Sequence, residues 1–471
     1  MKTRITVVGG GPGGYIAAVR AAQLGADVTL VEKDDVGGTC LHWGCIPSKI
    51  MKTTADLLQK FKNAGEFGID HHGGVSPNIN KIMERKNRIV RDQTKAILGL
   101  LGHHHVKVIK GKGVIRKKGV IDAVQQDGAT TEVFWDKLIL AIGSKPLNIP
   151  FLPFDGQNIL SSNDALSLSG IPESILIVGG GVIGCEFACI MSALGVKVTI
   201  VEALSRLLPL PSVDAGCSKV LQREMKKRKI QFLLNRTIER VDSTGDKLKA
   251  FTGAPSLTGD KERQAPQAIE AENVLVCIGR EPDAGDIGLE RLGITTDERG
   301  WIVTDDYLET SSSGVFAIGD ILGPSKIMLA HVASAEGAVA AGNAMGGKTM
   351  MNYNKVPSAI FTTPEVAGIG LTETQALEKG YSIKSETSLF RTIGKAHVIG
   401  EIEGHATIIS DEATGAVLGI HIIGPHATEL VAEGTLAIQM GMTVDDLAMT
   451  IHAHPTLSEV ISETALKTAR L

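Results

Sequence analysis

Ile5-Thr6-Val7-Val8-Gly9-Gly10-Gly11-Pro12-Gly13-Gly14 (residues 5–14) is an apolar run that passes directly into a glycine-rich turn. The run predicts a short buried strand, Tyr15 to Leu24 predicts a helix of small residues, and Asp27 to Val31 predicts a second strand that ends at Glu32. In a dinucleotide-binding βαβ unit the glycines admit a pyrophosphate, the helix N-terminus binds it, and the acidic strand end accepts the ribose hydroxyls. The spacing of Gly9-x-Gly11-x-x-Gly14 and Glu32 therefore predicts such a unit.

The same pattern recurs from Ile175 to Glu202, around the turn Gly179-x-Gly181-x-x-Gly184. Because the fingerprint is repeated, the sequence predicts two bound dinucleotides. Glu202 favours a nucleotide with a free 2′-hydroxyl, hence NAD, since a 2′-phosphate would require an arginine there. Arg206, four residues further on, is interpreted as an ordinary surface residue.

Two cysteines follow the first fingerprint, in Gly-Gly-Thr-Cys-Leu-His-Trp-Gly-Cys-Ile-Pro-Ser-Lys (residues 37–49). In a regular helix, residues five apart have Cα atoms about 8–9 Å apart, which exceeds the roughly 7 Å limit for a disulfide. We therefore expect the backbone to bend at Gly44. Pro47 fits the first turn of a helix that would place Cys45 near its positive end and favour its thiolate. The pattern predicts a redox-active disulfide between Cys40 and Cys45.

Two other interpretations of this stretch are a structural disulfide and metal ligation by Cys40, His42 and Cys45. We expect no secretory signal, because the first apolar run is interrupted at once by glycines, and structural disulfides are uncommon in cytoplasmic proteins. A closed metal site requires a fourth ligand that the local spacing does not supply. The sequence therefore predicts no metal site.

Length and charge limit the remaining possibilities. A chain of 471 residues suggests about three domains at roughly 150 residues each. The formal net charge of -4 argues against a nucleic acid or an anionic membrane as partner. Because no window of 18 uninterrupted apolar residues occurs, we expect no transmembrane helix and a cytoplasmic protein.

The C-terminal part contains His452-Ala453-His454-Pro455-Thr456-Leu457-Ser458-Glu459. His454 with Glu459 five residues on predicts an oriented imidazole that acts as an acid and base, the carboxylate fixing its tautomer. The alternative is a plain capped helix start, for which Pro-Thr-Leu-Ser-Glu is also suitable. Local sequence leaves both interpretations open.

The cysteine stretch, Gly-Gly-Gly-Val-Ile-Gly-x-Glu at residues 179–186 and the His-Ala-His-Pro-Thr-Leu-Ser-Glu ending resemble the two-cysteine flavoprotein disulfide reductases, over essentially the whole chain. The resemblance implies an α/β fold with two Rossmann-like dinucleotide-binding domains and a C-terminal α+β dimerisation domain. The expected bounds are an FAD-binding domain at 1–150, an NAD-binding domain at 151–275, a return segment completing the FAD domain at 276–345, and a dimerisation domain at 346–471.

The resemblance also implies where the cofactors FAD and NAD bind. Along FAD it places Gly9, Gly11, Gly14, Glu32, Lys49, Gly143, Asp320, Met328, Leu329, Ala330 and His331. Along NAD it places Gly179, Gly181, Gly184, Glu186, Glu202 and Gly279. It further implies that Lys49 pairs with Glu186. Ile142 replaces the usual threonine of the Ala-Thr-Gly turn, so a hydroxyl is missing there.

In this family Cys40 is the thiol that exchanges with substrate, Cys45 lies against the flavin, and His454 with Glu459 comes from the other subunit of a homodimer. The implied substrate is dihydrolipoamide on the lipoyl domain of an E2 component or an H-protein, oxidised while NAD is reduced. The enzyme alternative is a glutathione-type or mercuric reductase, and the alternative outside enzymes is a non-catalytic docking subunit. The four other cysteines are interpreted as core thiols: Cys185, Cys189, Cys217 and Cys277.

Overall fold

The computed structural model describes residues 2–70, 73–244, 247–254 and 266–469. The chain forms two compact units: unit 1 comprises Met1–Met51, Asn78–Leu147 and Gly279–Tyr353, and unit 2 comprises Lys52–Pro77, Asn148–Ile278 and Asn354–Leu471. Within the described ranges, every helix is too short or too polar to cross a lipid bilayer. The expected domain boundaries stay predictions, and the outermost of them, Met1 and Leu471, lie outside the described residues.

The strands, in chain order, are β1 (Arg4–Val8), β2 (Asp27–Glu32), β3 (Lys107–Lys110), β4 (Lys112–Lys117), β5 (Val120–Val124), β6 (Thr130–Phe134), β7 (Lys137–Leu140), β8 (Ser144–Pro146), β9 (Ile159–Leu160), β10 (Ser174–Val178), β11 (Lys197–Val201), β12 (Gln231–Leu233), β13 (Thr237–Thr244), β14 (Lys247–Gly253), β15 (Ala268–Ala271), β16 (Asn273–Val276), β17 (Arg280–Pro282), β18 (Val315–Ala317), β19 (Ser358–Ile360), β20 (Glu365–Gly370), β21 (Ile383–Leu389), β22 (His405–Asp411) and β23 (Val417–Gly424). The helices are α1 (Pro12–Gln23), α2 (Gly38–His42), α3 (Cys45–Lys62), α4 (Ile79–His103), α5 (Ser162–Ala165), α6 (Val182–Ala193), α7 (Ala215–Lys227), α8 (Ala330–Ala344), α9 (Glu373–Glu378), α10 (Gly394–Val398), α11 (Ala427–Met440), α12 (Val444–Met449) and α13 (Glu459–Thr468).

Unit 1 is built on a parallel sheet with the strand order β18-β7-β1-β2-β3. The central strand β1 pairs Val8 with Val31 on one side and with Leu140 on the other. All of its residues from Ile5 to Val8 are buried, as expected for a parallel sheet that is covered on both faces. A three-stranded antiparallel sheet β4-β5-β6 and the pair β17-β8 complete the strands of this unit.

The first parallel sheet of unit 2 repeats this plan, with the order β12-β11-β10-β16-β9. Here β10 takes the place of β1, and β11, which runs into Glu202, takes the place of β2. The repeat is complete except at one edge, where β9 precedes the fingerprint in the chain whereas β18 follows it by about 300 residues. The predicted internal duplication is confirmed, as is the α/β fold class.

The C-terminal part of unit 2 is an antiparallel sheet with the order β19-β20-β23-β22-β21. Helices α11 and α13 pack on it and bury their apolar residues with those of the sheet. This arrangement is the expected α+β unit.

Helix α1 begins at Pro12, three residues earlier than the predicted Tyr15, because proline is preorganised for the first helical turn. Its first turn is therefore made of glycines, and these let backbone approach backbone. A Cβ on Gly14 would lie 1.8 Å from the Gly9 oxygen, and one on Gly337 of α8 would lie 2.3 Å from the Gly13 oxygen. The close packing of α8 on α1 thus depends on the absence of a side chain at Gly337.

Gly337→Ala is expected to lower the free energy of unfolding by roughly 1–3 kcal/mol, because the new methyl group meets backbone atoms that no rotamer change can move. Gly342→Ala in the same helix is the matched control. A Cβ there meets nothing within 4 Å, and alanine should stabilise the helix by about 0.5–1 kcal/mol. Urea unfolding followed by circular dichroism measures both, and equal stabilities for the two variants would contradict the packing described here.

Candidate active site and nucleotide-binding turns

The two cysteines lie on different helices, with Cys40 inside α2 and Cys45 at the start of α3. The backbone bends between them at Trp43 and Gly44, as predicted, but not for the predicted reason. Gly44 does not adopt the left-handed conformation. A Cβ at Gly44 would instead lie 3.0 Å from the Thr39 oxygen, so glycine is needed for a close approach of the two helix ends.

The Cys40 thiol donates a hydrogen bond to the side chain of Cys45, and this bond raises the pKa of Cys40 far above its usual value. Burial raises it further, while the charge of Lys49, one helical turn beyond Cys45, acts in the opposite direction. The two sulfur atoms therefore lie within hydrogen-bonding distance, and Cys45 is the one at the start of α3. The N-terminus of α3 stabilises negative charge at that position.

The cysteine segment is fastened to the first glycine turn. The backbone N–H of Gly37 donates to the Gly10 oxygen at 2.8 Å. Gly38 follows in the left-handed conformation, and a Cβ on it would lie 2.6 Å from the Cα of Gly11. The start of α2 therefore lies directly against the turn that is predicted to hold a pyrophosphate.

Glu32 closes the same turn from the other side. Its carboxylate is buried and accepts the N–H of Gly10 at 2.5 Å and that of Asp34 at 2.9 Å. Glu202 repeats these contacts in unit 2, with the N–H groups of Gly180 at 2.5 Å and Leu204 at 2.8 Å. A carboxylate offers about four lone-pair sites, so each glutamate retains acceptor capacity for ribose hydroxyls.

Asp320 lies in a 3₁₀ turn, Gly319–Leu322, and is held by two residues that sequence reasoning missed. The Ser144 hydroxyl donates to its carboxylate at 2.7 Å, and the Arg280 guanidinium donates to the same hydroxyl oxygen at 2.6 Å. The Arg280 and Asp320 charges are 3.6 Å apart. Burial lowers the pKa of Arg280, while its interactions with Asp320 and Cys45 raise it. The only sequence signal was the position of Ser144 and Arg280 directly after the two glycines Gly143 and Gly279.

Glu336 of α8 is a third missed residue. It is buried, accepts the N–H of Gly319 at 2.6 Å and the hydroxyl of Tyr353 at 2.6 Å. Burial raises the pKa of Glu336, and burial together with this hydrogen bond raises the pKa of Tyr353. Glu336 therefore fixes the backbone immediately before Asp320.

The remaining residues expected along the first cofactor lie at turns and helix starts of unit 1. Gly143 adopts the left-handed conformation with a φ of 74°. Leu329 is the N-cap of α8, so that Met328, Leu329, Ala330 and His331 form the approach to the N-terminus of that helix. Lys49 belongs to unit 1 and Glu186 to unit 2. Glu186 is buried in α6 and accepts the N–H of Phe361 at 2.9 Å, and its pairing with Lys49 stays a prediction.

The second glycine turn resembles the first in its packing. A Cβ on Gly179 would lie 2.5 Å from the Cys277 oxygen, one on Gly184 would lie 2.0 Å from the Gly179 oxygen, and one on Gly181 would meet nothing within 4 Å. Backbone at Gly181 is thus open to a ligand. Gly279 belongs to unit 1, where its carbonyl accepts the N–H of Leu147 at 3.1 Å.

Arg206 is not the surface residue that was expected. Its guanidinium donates to the carbonyl oxygens of Leu210 and Val213, both at 3.0 Å, and its second terminal nitrogen is buried. These contacts occupy one terminal nitrogen of the guanidinium, and Glu202 stays the predicted ribose ligand.

His454 and Glu459 lie together in unit 2. Nδ1 of His454 is 2.7 Å from the Glu459 carboxylate, which also accepts the N–H of Thr456 at 2.9 Å. The hydrogen bond from His454 lowers the pKa of Glu459, so the carboxylate is ionised at neutral pH and fixes the proton on Nδ1. The other ring nitrogen, Nε2, makes no hydrogen bond with the residues that the structure describes, and the side chain is 77% exposed. Ser458, the N-cap of α13, makes no capping hydrogen bond through its side chain. Glu459 contacts both the His454 ring and the backbone N–H of Thr456 just before the helix.

His452 has a different environment. Its ring is only 8% exposed, and its nitrogens contact the Thr450 oxygen at 2.9 Å and the Glu433 carboxylate at 2.7 Å. The sequence offered no carboxylate partner for this residue, because Glu433 is 19 residues away on α11. With both nitrogens engaged, His452 is unsuited to proton transfer with a substrate.

Comparison with known proteins adds evidence from whole chains. Residues 3–337 match the pyridine nucleotide-disulphide oxidoreductase profile, and residues 356–465 match the dimerisation domain of the same proteins. The dihydrolipoyl dehydrogenase of Chlamydia trachomatis is 40% identical over 462 residues, covering 98% of this chain and 95% of that protein. The dihydrolipoyl dehydrogenase of Bacillus subtilis is 38% identical, covering 98% of this chain and 97% of that one.

A solved structure agrees with the whole fold. LpdA from Mycobacterium tuberculosis superposes with a TM-score of 0.90 at 29% identity, covering 99% of this chain and all of that one. The similarity therefore extends through both glycine turns, the cysteine segment and the C-terminal sheet.

The rate of coenzyme reduction with NAD is expected to exceed that with NADP by at least about tenfold. The reason is that a 2′-phosphate beside the Glu202 carboxylate would lose binding free energy on the order of 1.4 kcal/mol. Glu202→Gln removes the negative charge and should reduce this selectivity. Glu32→Gln, the equivalent change in the first fingerprint, is the control and should leave it unchanged. Steady-state kinetics with both coenzymes test this, and equal rates with the unaltered protein would reject the assignment.

Proposed function

We propose that this chain, which belongs to the pyridine nucleotide-disulphide oxidoreductases, is a dihydrolipoyl dehydrogenase that oxidises dihydrolipoamide to lipoamide and reduces NAD to NADH. Its relatives named dihydrolipoyl dehydrogenase match along nearly the whole chain. The members of this family use FAD and NAD(H), and the flavin, when bound, supplies the two-electron transfer between the cysteine pair and NAD.

The single observation that supports the proposal best is the hydrogen bond from the Cys40 thiol to Cys45. It brings two cysteines of one short segment, one in α2 and one at the start of α3, within hydrogen-bonding distance of each other, as a redox pair requires.

The residues present fit both cofactors. At the first turn, the N-terminus of α1 offers N–H groups to a pyrophosphate, and Glu32 offers oxygens to a ribose. Ser144 orients the side chain of Asp320, and Glu336 fixes the backbone at Gly319. The Asp320 carboxylate is therefore held in one orientation, in which it can bind the cofactor. At the second turn, Gly181 and Glu202 provide the same groups for NAD.

The chemistry of the protein groups begins with His454. We infer that its Nε2 removes a proton from one thiol of dihydrolipoamide, and that the resulting thiolate attacks the sulfur of Cys40 in the oxidised pair. The Cys40–Cys45 bond breaks and Cys45 leaves as a thiolate. The second substrate thiol then displaces Cys40, so that lipoamide is released, two electrons remain on the cysteine pair and Cys40 takes a proton.

We further propose that His454 serves the cysteine pair of a second copy of the chain. The chain carries a dimerisation domain at 356–465, and large apolar side chains near His454 are exposed. Ile451, three residues before it, is 98% exposed, and Leu436 and Met440 lie one helical turn apart on α11 and are 61% and 69% exposed. A second subunit of a homodimer would cover these side chains and bring its cysteines to the free Nε2.

The partner that delivers the substrate is, in this proposal, the lipoyl domain of an E2 component or an H-protein. A lipoyl group is a dithiol on a long arm, so the enzyme needs to admit only that arm to the cysteine pair. We also propose a cytoplasmic location, where conditions are reducing. All six cysteines are free thiols in the structure, so the predicted Cys40–Cys45 disulfide is seen in its reduced form.

Cys40→Ser is expected to show the long-wavelength absorption of a thiolate beside oxidised flavin without any added reductant, because Cys45 can then form no disulfide and lies at the N-terminus of α3. Cys45→Ser, the matched variant, should lack this absorption, because it leaves no sulfur at that helix start. Absorption spectra of the two FAD-loaded variants before any reduction measure the difference. Identical spectra for the two variants would show that the roles assigned to the cysteines are wrong.

His454→Gln is expected to lower lipoamide turnover by about 10²–10⁴-fold, the usual contribution of a general acid or base, while FAD stays bound. Glu459→Gln should lower it less, since the imidazole remains and loses only its orientation. His397→Gln, in α10, is a control that should retain full turnover.

Mixing the inactive homodimers of Cys45→Ser and His454→Gln tests whether the site is shared. If it is, subunit exchange produces heterodimers with one intact site, formed from the cysteines of one chain and the histidine of the other, and activity returns. Continued inactivity after exchange has been verified by mass spectrometry would mean that His454 serves its own chain or is not the base.

A further inference from the structure

A second cluster of reactive side chains lies in unit 2 and has no role in the proposed reaction. Asp214, Cys217 and His405 each direct one potential ligand atom into a region where all three atoms lie within 4.8 Å of one another. Asp214 is the N-cap of α7, Cys217 lies in the first turn of that helix, and His405 is the first residue of β22. Three different ligand types thus meet between a helix of the second dinucleotide-binding segment and the C-terminal sheet.

The helix start is shaped for this approach. Asp214 and Cys217 are three residues apart, so their side chains share one face of α7. Between them lies Gly216, where an added Cβ would be 2.8 Å from the Asp214 carboxylate and 3.5 Å from Nε2 of His405. Glycine at this position lets the imidazole reach the helix start with Nε2 facing the carboxylate.

The hydrogen bonds inside unit 2 leave ligand atoms unused. One oxygen of Asp214 accepts the N–H of Gly216 at 2.7 Å in the manner of a helix cap, and the other makes no hydrogen bond with the residues that the structure describes. Within the same described ranges, neither ring nitrogen of His405 makes a hydrogen bond, although this side chain is partly buried. A simple helix cap and a core thiol would explain Asp214 and Cys217, but not the unpaired imidazole directed at them.

The charges around the cluster permit a divalent cation. The positive charge of Arg206 lowers the pKa of Cys217, and that of Arg223 lowers the pKa of His405. Both charges would repel a cation. Arg223 is however paired with Glu403 at 2.6 Å, and the Arg206 guanidinium is bound to backbone carbonyls. The other histidine of this face, His421, contacts the Leu371 oxygen through Nε2 at 3.0 Å, and burial lowers its pKa, so that it is uncharged at neutral pH.

We propose that Asp214, Cys217 and His405 form a binding site for a borderline-soft divalent cation, Zn²⁺ in particular, that joins α7 to β22. Thiolate and imidazole ligands select Zn²⁺ over Mg²⁺ and Ca²⁺, which take oxygen ligands. Ligands on one tetrahedral zinc lie roughly 3.3–3.7 Å apart, given metal–ligand distances of about 2.0–2.3 Å. The present separations of at most 4.8 Å close to that range by rotation of the side chains.

Binding would proceed with the loss of one proton. The Cys217 thiol gives its proton to solvent and its sulfur bonds to zinc, so that the charges of the thiolate and the Asp214 carboxylate balance the +2 of the ion. Cys217 is buried while Asp214 and His405 are partly exposed, so the ion would enter from the side of the carboxylate and the imidazole. Three protein ligands leave the fourth position for water.

The test uses the FAD-loaded full-length chain carrying Cys40→Ser and Cys45→Ser, because a reduced cysteine pair would itself bind metal. Co²⁺ replaces Zn²⁺ as the probe, since a tetrahedral cobalt–thiolate site absorbs in the red, beyond oxidised flavin. We expect one Co²⁺ per chain, displaced by Zn²⁺, and a higher melting temperature in the presence of Zn²⁺.

Each ligand is then removed in this parent protein. Cys217→Ser, His405→Gln and Asp214→Asn should each weaken binding by at least about tenfold, the smallest loss typical even of a residue that only supports a ligand. Asp214→Asn keeps an acceptor for the helix cap, so it separates loss of the ligand from loss of the cap. The controls Cys277→Ser and His397→Gln remove a thiol and an imidazole elsewhere and should bind Co²⁺ like the parent.

Two outcomes would overturn the proposal. One is a parent protein that binds no stoichiometric Co²⁺ or Zn²⁺, and the other is binding that persists unchanged in the ligand variants. If Cys217→Ser fails to fold, His405→Gln and Asp214→Asn decide by the same titration, since His405 lies at the end of a strand and Asn is itself a good helix cap.

Discussion

The approach of Gly38 to Gly11, fixed by the hydrogen bond from Gly37 to Gly10, is the constraint on which the active site depends. It places the first turn of α2 against the glycine turn, and so determines the position of Cys40. The bend at Gly44 and the start of α3 then determine the position of Cys45.

The sequence predicted those features whose physical cause is local. Strand, glycine turn, helix and acidic end occur within about 30 residues, and the carboxylate that orients His454 is five residues away. The residues that were missed have partners that no recognised motif marks. Ser144 meets Asp320 across 176 residues, Glu336 meets Gly319 across 17, and Glu433 meets His452 across 19. Neither hydrophobic periodicity nor a known motif predicts these pairs.

Arg206 and Gly44 illustrate a second limit. In both cases the residue type was read correctly and its environment was not, because an arginine can place its charge on nearby carbonyls and a glycine can be required by a close approach as well as by its torsion angles. The consequences differ. The bend at Gly44 occurs as expected, whereas the expected surface position of Arg206 is wrong.

The internal repeat separates what nucleotide binding needs from what the thiol chemistry adds. Both turns have the same buried glutamate on the same N–H group and the same contact of the third glycine with the first. Only the first has a further segment packed against its second glycine, whereas Gly181 faces open space. The same turn thus occurs once with a segment close to its second glycine and once with space beside that glycine.

The edge strands of the two parallel sheets have a consequence for synthesis of the chain on the ribosome. All strands of the sheet β12-β11-β10-β16-β9 lie between Ile159 and Val276, so they are available together once that stretch has emerged. The sheet that begins at Arg4 lacks β18 until Ala317 has been made, and lacks the cover of α8 until Ala344. The segment synthesised first is therefore the later of the two to close, and its apolar sheet edge and the helix face of α1 stay open to other chains during that interval.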